Sequence, residues 1–167
     1  MSKWDSIGKI PPLTGVGKFR RTVSEFKARV ESIVKDDLPD DLKSAVPEIG
    51  QSGAKEVLAM RNKGFTGTIP ELLTMSWLDK KKISYAWQYP ELTAGARIDF
   101  VVNQIPPIAI RIQGEYWHRI GIGTHDRDQK YALQMLGYTV VDVWERQVYH
   151  NRENTLSRAI KGIEVPK

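Results

Sequence analysis

Residues 97–118, which read RIDFVVNQIPPIAIRIQGEYWH, constrain the fold of this chain more than any other stretch. Two runs rich in β-branched and aromatic residues, at 98–102 and 108–112, flank a short segment with two prolines, as is typical of neighbouring strands. Asp99 lies inside the first run and Gln113 closes the second. Neighbouring strands would bring these two polar side chains together, an arrangement suited to holding a divalent cation against a phosphodiester.

From residue 67 onward the apolar spacing and the turn residues predict helices and strands in the order αβββαβα. Thr68 and Glu71 have the spacing of a capping box at the start of the first helix, which we expect to extend to about residue 82. The later elements are predicted as strands at 83–89, 98–102, 108–112 and 139–143, and as helices at 126–136 and 152–161. This order fits the α/β class, with a mixed β-sheet flanked by helices.

The first part of the chain has a different character. Its proline and glycine residues predict an extended arm over residues 1–16, and apolar positions three and four apart predict an amphipathic helix over residues 16–35. The acidic stretch 36–41 predicts a turn and a helix cap, followed by a short helix at about 53–62. We therefore divide the chain into an N-terminal arm with a helical extension, residues 1–66, and an α/β domain, residues 67–167.

Composition limits the function classes. Of the 167 residues, 41% are hydrophobic and 27% charged, which is ordinary for a globular protein, and the absence of cysteine removes disulfides and thiolate chemistry. The net charge of +5 is compatible with nucleic acid without requiring it. No apolar run approaches the ~18 residues of a membrane span, and no apolar signal-peptide segment is seen near the start. We expect no membrane association and an intracellular location, in the cytoplasm or nucleoid, or one associated with a virion.

The element order and several short motifs resemble the PD-(D/E)XK nuclease superfamily, especially its branch of very-short-patch mismatch endonucleases and related small restriction-like proteins. That branch has a helix with a glutamate, an Asp-Phe-Val-Val strand, a strand running into Gly-x-x-Trp-His, an Asp/Arg-rich helix, and Gly-Tyr-x-Val ending in tryptophan. The corresponding motifs here are at Glu71 and at residues 99–102, 114–118, 126–128 and 137–144. The match covers about residues 67–150 and implies a restriction-endonuclease-like fold that cleaves or binds DNA.

The resemblance also implies roles for individual residues. The catalytic residues it implies are Asp99, Gln113, His118 and Glu71. The cofactor it implies is Mg²⁺, held by Asp99, the backbone carbonyl of Ile112 and, as a substitute carboxylate, Glu115. His118 would act as a general base or a transition-state donor, since an unperturbed histidine titrates near neutral pH. Basic side chains complete the candidate site as contacts to nucleic acid: Arg111, Arg119, Arg127, Lys80, Lys81 and Lys82.

Two residues depart from the pattern of the superfamily. Most members have glutamate at the position of Arg111, and lysine, glutamine, aspartate or histidine at the position of Gln113. The mismatch-endonuclease branch also lacks that glutamate, but has histidine at the Gln113 position. Arg111 puts a permanent cation where an anionic ligand belongs, which suggests a salt bridge to Asp99 instead.

The alternative function is therefore a catalytically inactive subunit of nuclease fold. Such a subunit would have a structural or DNA-binding role in a viral particle or another nucleoprotein assembly, with residues 1–66 contacting a protein partner. A role in RNA processing is a weaker third alternative, because the fold does not decide between nucleic acids.

Each candidate residue also has a purely structural interpretation. Glu71 fits the capping box alone, Asp99 fits an ion pair with Arg97, and His118 fits a buried histidine of the core. The three lysines at 80–82 fit a solvated helix end, and become a phosphate-binding patch only if they share a surface with other cations.

Overall fold

The structure is a computed structural model that describes residues 38–114 and 123–166. The predicted arm and the helix predicted over residues 16–35 lie outside the described residues. The chain divides into two units, Met1–Lys43 and Ser44–Lys167. Residues 44–66 therefore belong to the same unit as the β-sheet, whereas the boundary predicted from the sequence lay after residue 66.

The described residues form four helices and four strands. In chain order they are α1 (Asp40–Asn62), α2 (Ile69–Lys80), β1 (Tyr85–Glu91), β2 (Ala96–Val102), β3 (Ile108–Gln113), α3 (Gly123–Met135), β4 (Thr139–Trp144) and α4 (Glu145–Ala159). The predicted order αβββαβα from residue 67 is confirmed, and so is the α/β class. Across the described residues, no helix combines the length and the apolar character needed to cross a membrane.

Two helices differ from their predicted bounds. Helix α1 begins at Asp40 rather than near residue 53 and is kinked at Gly50, whose φ of 67° is readily adopted by glycine. Helix α4 begins at Glu145, directly after β4, rather than at residue 152, and a non-helical Asn151 interrupts it. In both helices the residues around the kink are mostly polar, so the first turns have no clear apolar periodicity and were not predicted.

The four strands form one mixed sheet in the order β1-β2-β3-β4. Strands β1, β2 and β3 are successively antiparallel, and β4 is parallel to β3. A parallel pair requires a crossover connection, and helix α3 lies in the one between β3 and β4. The parallel register pairs Arg111 of β3 with Asp142 of β4, so two opposite charges lie side by side on these neighbouring strands.

Helices cover the central strands. Ile98, Phe100 and Ile110 of β2 and β3 are fully buried, as expected where strands are covered on both faces. Val101, Ala109 and Val140 belong to an apolar cluster that also contains Leu133 of α3, and α4 contacts both β3 and β4 while α2 contacts α4. This burial means that any charged side chain in the middle of β2, β3 or β4 must find a partner.

Polar contacts tie the three helices α1, α2 and α4 together. The Ser76 hydroxyl of α2 donates to Glu56 Oε2 of α1 at 3.0 Å. The guanidinium of Arg152 in α4 donates to both oxygens of Glu56, at 3.1 and 3.2 Å. A two-bond contact of arginine with a carboxylate fixes geometry as well as charge, so Glu56 sets the relative position of these helices.

Candidate active site

Asp99 lies in the middle of β2, where the pairing with β1 is irregular. The register pairs the residues on either side of Asp99 with residues of β1, but it skips the pair of Asp99 and Gln88. Gln88 has a φ of 48°, in the left-handed region that residues with a side chain rarely adopt. Backbone conformations of this kind are concentrated at functional sites, and here one lies directly beside the predicted catalytic aspartate.

On its other side β2 separates from β3. The ladder between these strands ends at the pair of Phe100 and Ile110, and beyond it β3 continues to pair with β4 as far as Gln113. The backbone N–H of Ile112 donates to Asp99 Oδ2 at 2.6 Å. The carboxylate of Asp99 therefore occupies the opening of a fork between two strands, hydrogen-bonded to the backbone of the neighbouring strand.

Glu71 of α2 lies close enough to Asp99 for the two carboxylates to repel each other. The backbone N–H of Thr68 donates to Glu71 Oε2 at 3.3 Å, which confirms the predicted capping box. Burial and the charge of Glu71 raise the pKa of Asp99 to about 6, against the lowering effects of the Ile112 N–H and two nearby arginines. Glu71 thus has a capping contact and also contributes to the electrostatics of the site.

Gly67 packs closely against the side chains of Glu71 and Trp87. A Cβ atom at residue 67 would lie 2.7 Å from Glu71 Oε2 and 3.2 Å from Trp87 Cζ2, so the Glu71 side chain would have to move to accommodate it. The indole nitrogen of Trp87 is buried and has no hydrogen-bond partner among the described residues. A larger residue at this position would therefore displace the Glu71 carboxylate, a contact at the edge of the site that the sequence pattern did not indicate.

Arg111 forms its ion pair with Asp142, where the sequence suggested Asp99. Arg111 Nε donates to Asp142 Oδ1 at 2.7 Å, and Nη2 lies 2.7 Å from the same oxygen. Gln113 Nε2 also donates to Asp142 Oδ1, at 3.1 Å, and Lys130 Nζ of α3 donates to Oδ2 at 3.2 Å. The pairing follows from the parallel register, which sets Asp142 directly beside Arg111.

Asp142 is consequently a charged and well-partnered carboxylate. Burial by itself raises the pKa of Asp142, but the charge of Arg111, its hydrogen bond and those of the other partners outweigh this and hold the pKa below its ordinary value. Asp142 was not among the residues predicted from the sequence, although its place as the single acid within the β-branched run TVVDVW was a signal for it. With Arg111, Gln113 and Lys130 around it, this carboxylate is already neutralised by the protein itself.

The structure brings some predicted residues together and leaves others undescribed. Asp99, Glu71 and the backbone of Ile112 meet at the fork, and Gln113 is turned toward Asp142. Arg127 and the three lysines at 80–82 are exposed. Three predicted site residues lie outside the described residues: His118, Glu115 and Arg119. Within the described ranges, no group of three or more histidine, aspartate or glutamate side chains is placed to hold a metal ion.

Comparisons with protein-family models, with curated proteins and with solved structures found no match to this chain. The resemblance to nucleases therefore rests on the motifs in the sequence and stays a prediction.

Titration of Asp99 gives a test of its burial. The pKa of about 6 in the folded chain exceeds the value of ~3.9 in an unfolded chain, so folding favours the protonated form. The stability gained in this way is fully present below about pH 4 and is lost as the pH rises through 6. Relative to Asp99→Asn, the free energy of unfolding of the unmutated protein should fall by roughly 1–3 kcal/mol between pH 4 and 7.5. Urea denaturation of both proteins measures this, and a difference independent of pH would contradict a buried carboxylate.

The ion pair of Arg111 and Asp142 can be tested with a double-mutant cycle. Arg111→Gln leaves a largely buried carboxylate without its main partner, and breaking such a pair costs about 3–5 kcal/mol. The double variant Arg111→Gln/Asp142→Asn also removes the negative charge, so it should recover part of the loss, with a coupling energy of about 1–3 kcal/mol. Thermal or urea unfolding of the four proteins gives this energy. Strictly additive losses would show that the two side chains do not act as a pair.

Proposed function

We propose that the protein acts on DNA through a restriction-endonuclease-like fold, and that the site at Asp99 and Glu71 hydrolyses phosphodiesters with a divalent cation. One observation supports this proposal above the others. A fork between β2 and β3 holds Asp99 beside Glu71 of α2, so two carboxylates from separate elements meet where the sheet opens. The order of helix, three strands, helix and strand agrees with the core order of the superfamily.

The residues at the fork fit a hard cation such as Mg²⁺. Such a cation prefers oxygen ligands and keeps several waters, so a complete cage of protein ligands is not needed. Asp99 and Glu71 offer carboxylates, and the backbone carbonyl of Ile112 is the proposed further ligand. Burial and, to a smaller extent, the charge of Glu71 raise the pKa of Asp99, and a bound cation would offset both effects. When bound, a divalent cation supplies an acidified water and neutralises charge on the phosphate.

The chain's own residues would orient the reacting groups. The N–H of Ile112 engages one oxygen of Asp99 and so fixes the orientation of this carboxylate. Gln113 cannot accept a proton from water, because an amide has no titratable group in the neutral range, and its contact with Asp142 gives it a positioning role. His118 remains the predicted proton acceptor or donor in this proposal.

The proposal is tested by the cleavage of supercoiled plasmid with Mg²⁺ or Mn²⁺. We expect nicking by the unmutated protein and a loss of at least about a hundredfold in Asp99→Asn, since a direct ligand matters at least as much as the residues that support ligands. Asp40→Asn makes the same chemical change at an exposed residue outside the site and should cleave normally. Unchanged cleavage by Asp99→Asn would exclude Asp99 as the catalytic residue.

The ion pair of Arg111 and Asp142 favours a second candidate, a subunit of nuclease fold without catalytic activity. Arg111 is buried and stands where most of the superfamily has a ligand glutamate, so a second anionic ligand from β3 is missing. Such a subunit would bind nucleic acid or contribute to a nucleoprotein assembly such as a viral particle, with residues 1–66 contacting a protein partner.

The second candidate predicts how the protein binds metal. The unmutated protein should show no Mn²⁺ binding in a calorimetric titration, whereas Arg111→Glu should gain it, because the substitution replaces a cation by a carboxylate close to Asp99. Arg111→Gln is the control, since it removes the cation without adding a ligand. Tight Mn²⁺ binding by the unmutated protein would count against this candidate and in favour of the first.

A further inference from the structure

Two adjoining grooves among the helices α1, α2 and α4 are lined by basic side chains. One groove lies between α1 and α2 and is lined in part by Lys55, Lys63 and Lys80. The other lies between α2 and α4 and is lined in part by Lys80, Lys81 and Arg152. Because Lys80 lines both, the grooves form one continuous surface, which we call the basic groove surface after these five residues.

Acidic residues hold three of these cations in place. Glu56 accepts two hydrogen bonds from Arg152 and lies 3.0 Å from Lys80 Nζ. Burial acts to raise the pKa of Glu56, but its cationic partners outweigh burial and lower it. Glu153 accepts a hydrogen bond from Lys81 Nζ at 2.7 Å. Of the three cations, Arg152 is the most buried and has two hydrogen bonds to Glu56, so its guanidinium loses the least conformational entropy when an anion binds.

The other two cations are exposed and uncompensated. Lys55 lies on α1 and Lys63 directly follows its last residue, and neither has an ion-pair partner among the described residues. Among the described residues, the lining of the two grooves therefore contains five cations and three carboxylates, Glu56, Asp79 and Glu153. Three of the cations have acidic partners, whereas Lys55 and Lys63 have no ion-pair partner among the described residues. Such a surface suits a ligand with several regularly spaced negative charges.

We propose that the basic groove surface binds the phosphate backbone of double-stranded DNA at a distance from the site at Asp99. The choice of DNA as the polyanion rests on the proposed function. Helix α2 has Glu71 in its first turn and Lys80 in its last, a separation of roughly 14 Å at 1.5 Å per residue. A duplex has one negative charge per ~1.7 Å of its axis, so the distance between these two ends of α2 corresponds to about eight phosphate charges, and a duplex longer than this can contact both regions.

The experiment measures binding by the fluorescence anisotropy of a labelled 30-base-pair duplex, in EDTA to prevent cleavage, over a series of salt concentrations. The test variant is Lys55→Gln/Lys63→Gln. The control variant is Arg146→Gln/Lys161→Gln, which makes the same change in net charge at two exposed cations elsewhere.

We expect the test variant to bind the duplex about tenfold or more weakly near 0.1 M salt. The slope of log K against log salt should also become shallower by about 0.9 for each lost phosphate contact. The control variant should bind like the unmutated protein. Equal weakening in both variants would overturn the proposal, because it would show a response to net charge alone, and unchanged binding by the test variant would overturn it as well.

Failure of this proposal and failure of the proposed function are distinguishable. If plasmid is not cleaved but Lys55→Gln/Lys63→Gln selectively loses duplex binding, the surface is established without the nuclease activity. If plasmid is cleaved while this variant binds and cleaves normally, the activity stands and the surface proposal is overturned. Stronger competition by a matched RNA duplex than by DNA would also overturn the assignment to DNA.

Discussion

The site depends on how the charges of Asp99, Arg111 and Asp142 are balanced on the neighbouring strands β2, β3 and β4. Strand β3 lies between two strands that each have a central aspartate, Asp99 on β2 and Asp142 on β4. The buried Arg111 of β3 lies between them, and the parallel register places its ion pair with Asp142. Asp142 therefore stays charged, whereas the pKa of Asp99 is raised, since burial and Glu71 outweigh what Arg111 contributes there.

The two aspartates therefore differ in their surroundings, and this difference distinguishes Asp142, a structural acid, from Asp99, the acid proposed to be catalytic. Asp142 is held by Arg111, Gln113 and Lys130 from two elements, so it stabilises the packing of α3 and β3 around β4. Asp99 lies where both ladders of its strand are irregular, and one backbone N–H holds it. A carboxylate in an opened sheet, with a second carboxylate nearby, is the more suitable of the two for a cation or a substrate.

The order of the elements was predictable because apolar spacing, turn residues and the capping box at Thr68 are local signals. The meeting of Asp99 with the end of β3 was also predictable, because antiparallel neighbours share one turn. The partner of Arg111 was not predictable, since β4 joins β3 only after a long crossover and its register is set by packing. The basic groove surface was not predictable either, because it forms only where three helices pack together. In it Lys80 and Lys81 lie with Lys55, Lys63 and Arg152 rather than with Arg127.

Helix α2 connects the two proposed functional regions mechanically. Its first turn presents Glu71 to the fork, and its last turn presents Lys80 to the grooves. Between these ends the helix is anchored by fully buried apolar side chains and by the contact of Ser76 with Glu56. One packed helix therefore sets the spacing between the proposed catalytic site and the proposed DNA-binding surface, because Glu71 lies in its first turn and Lys80 in its last.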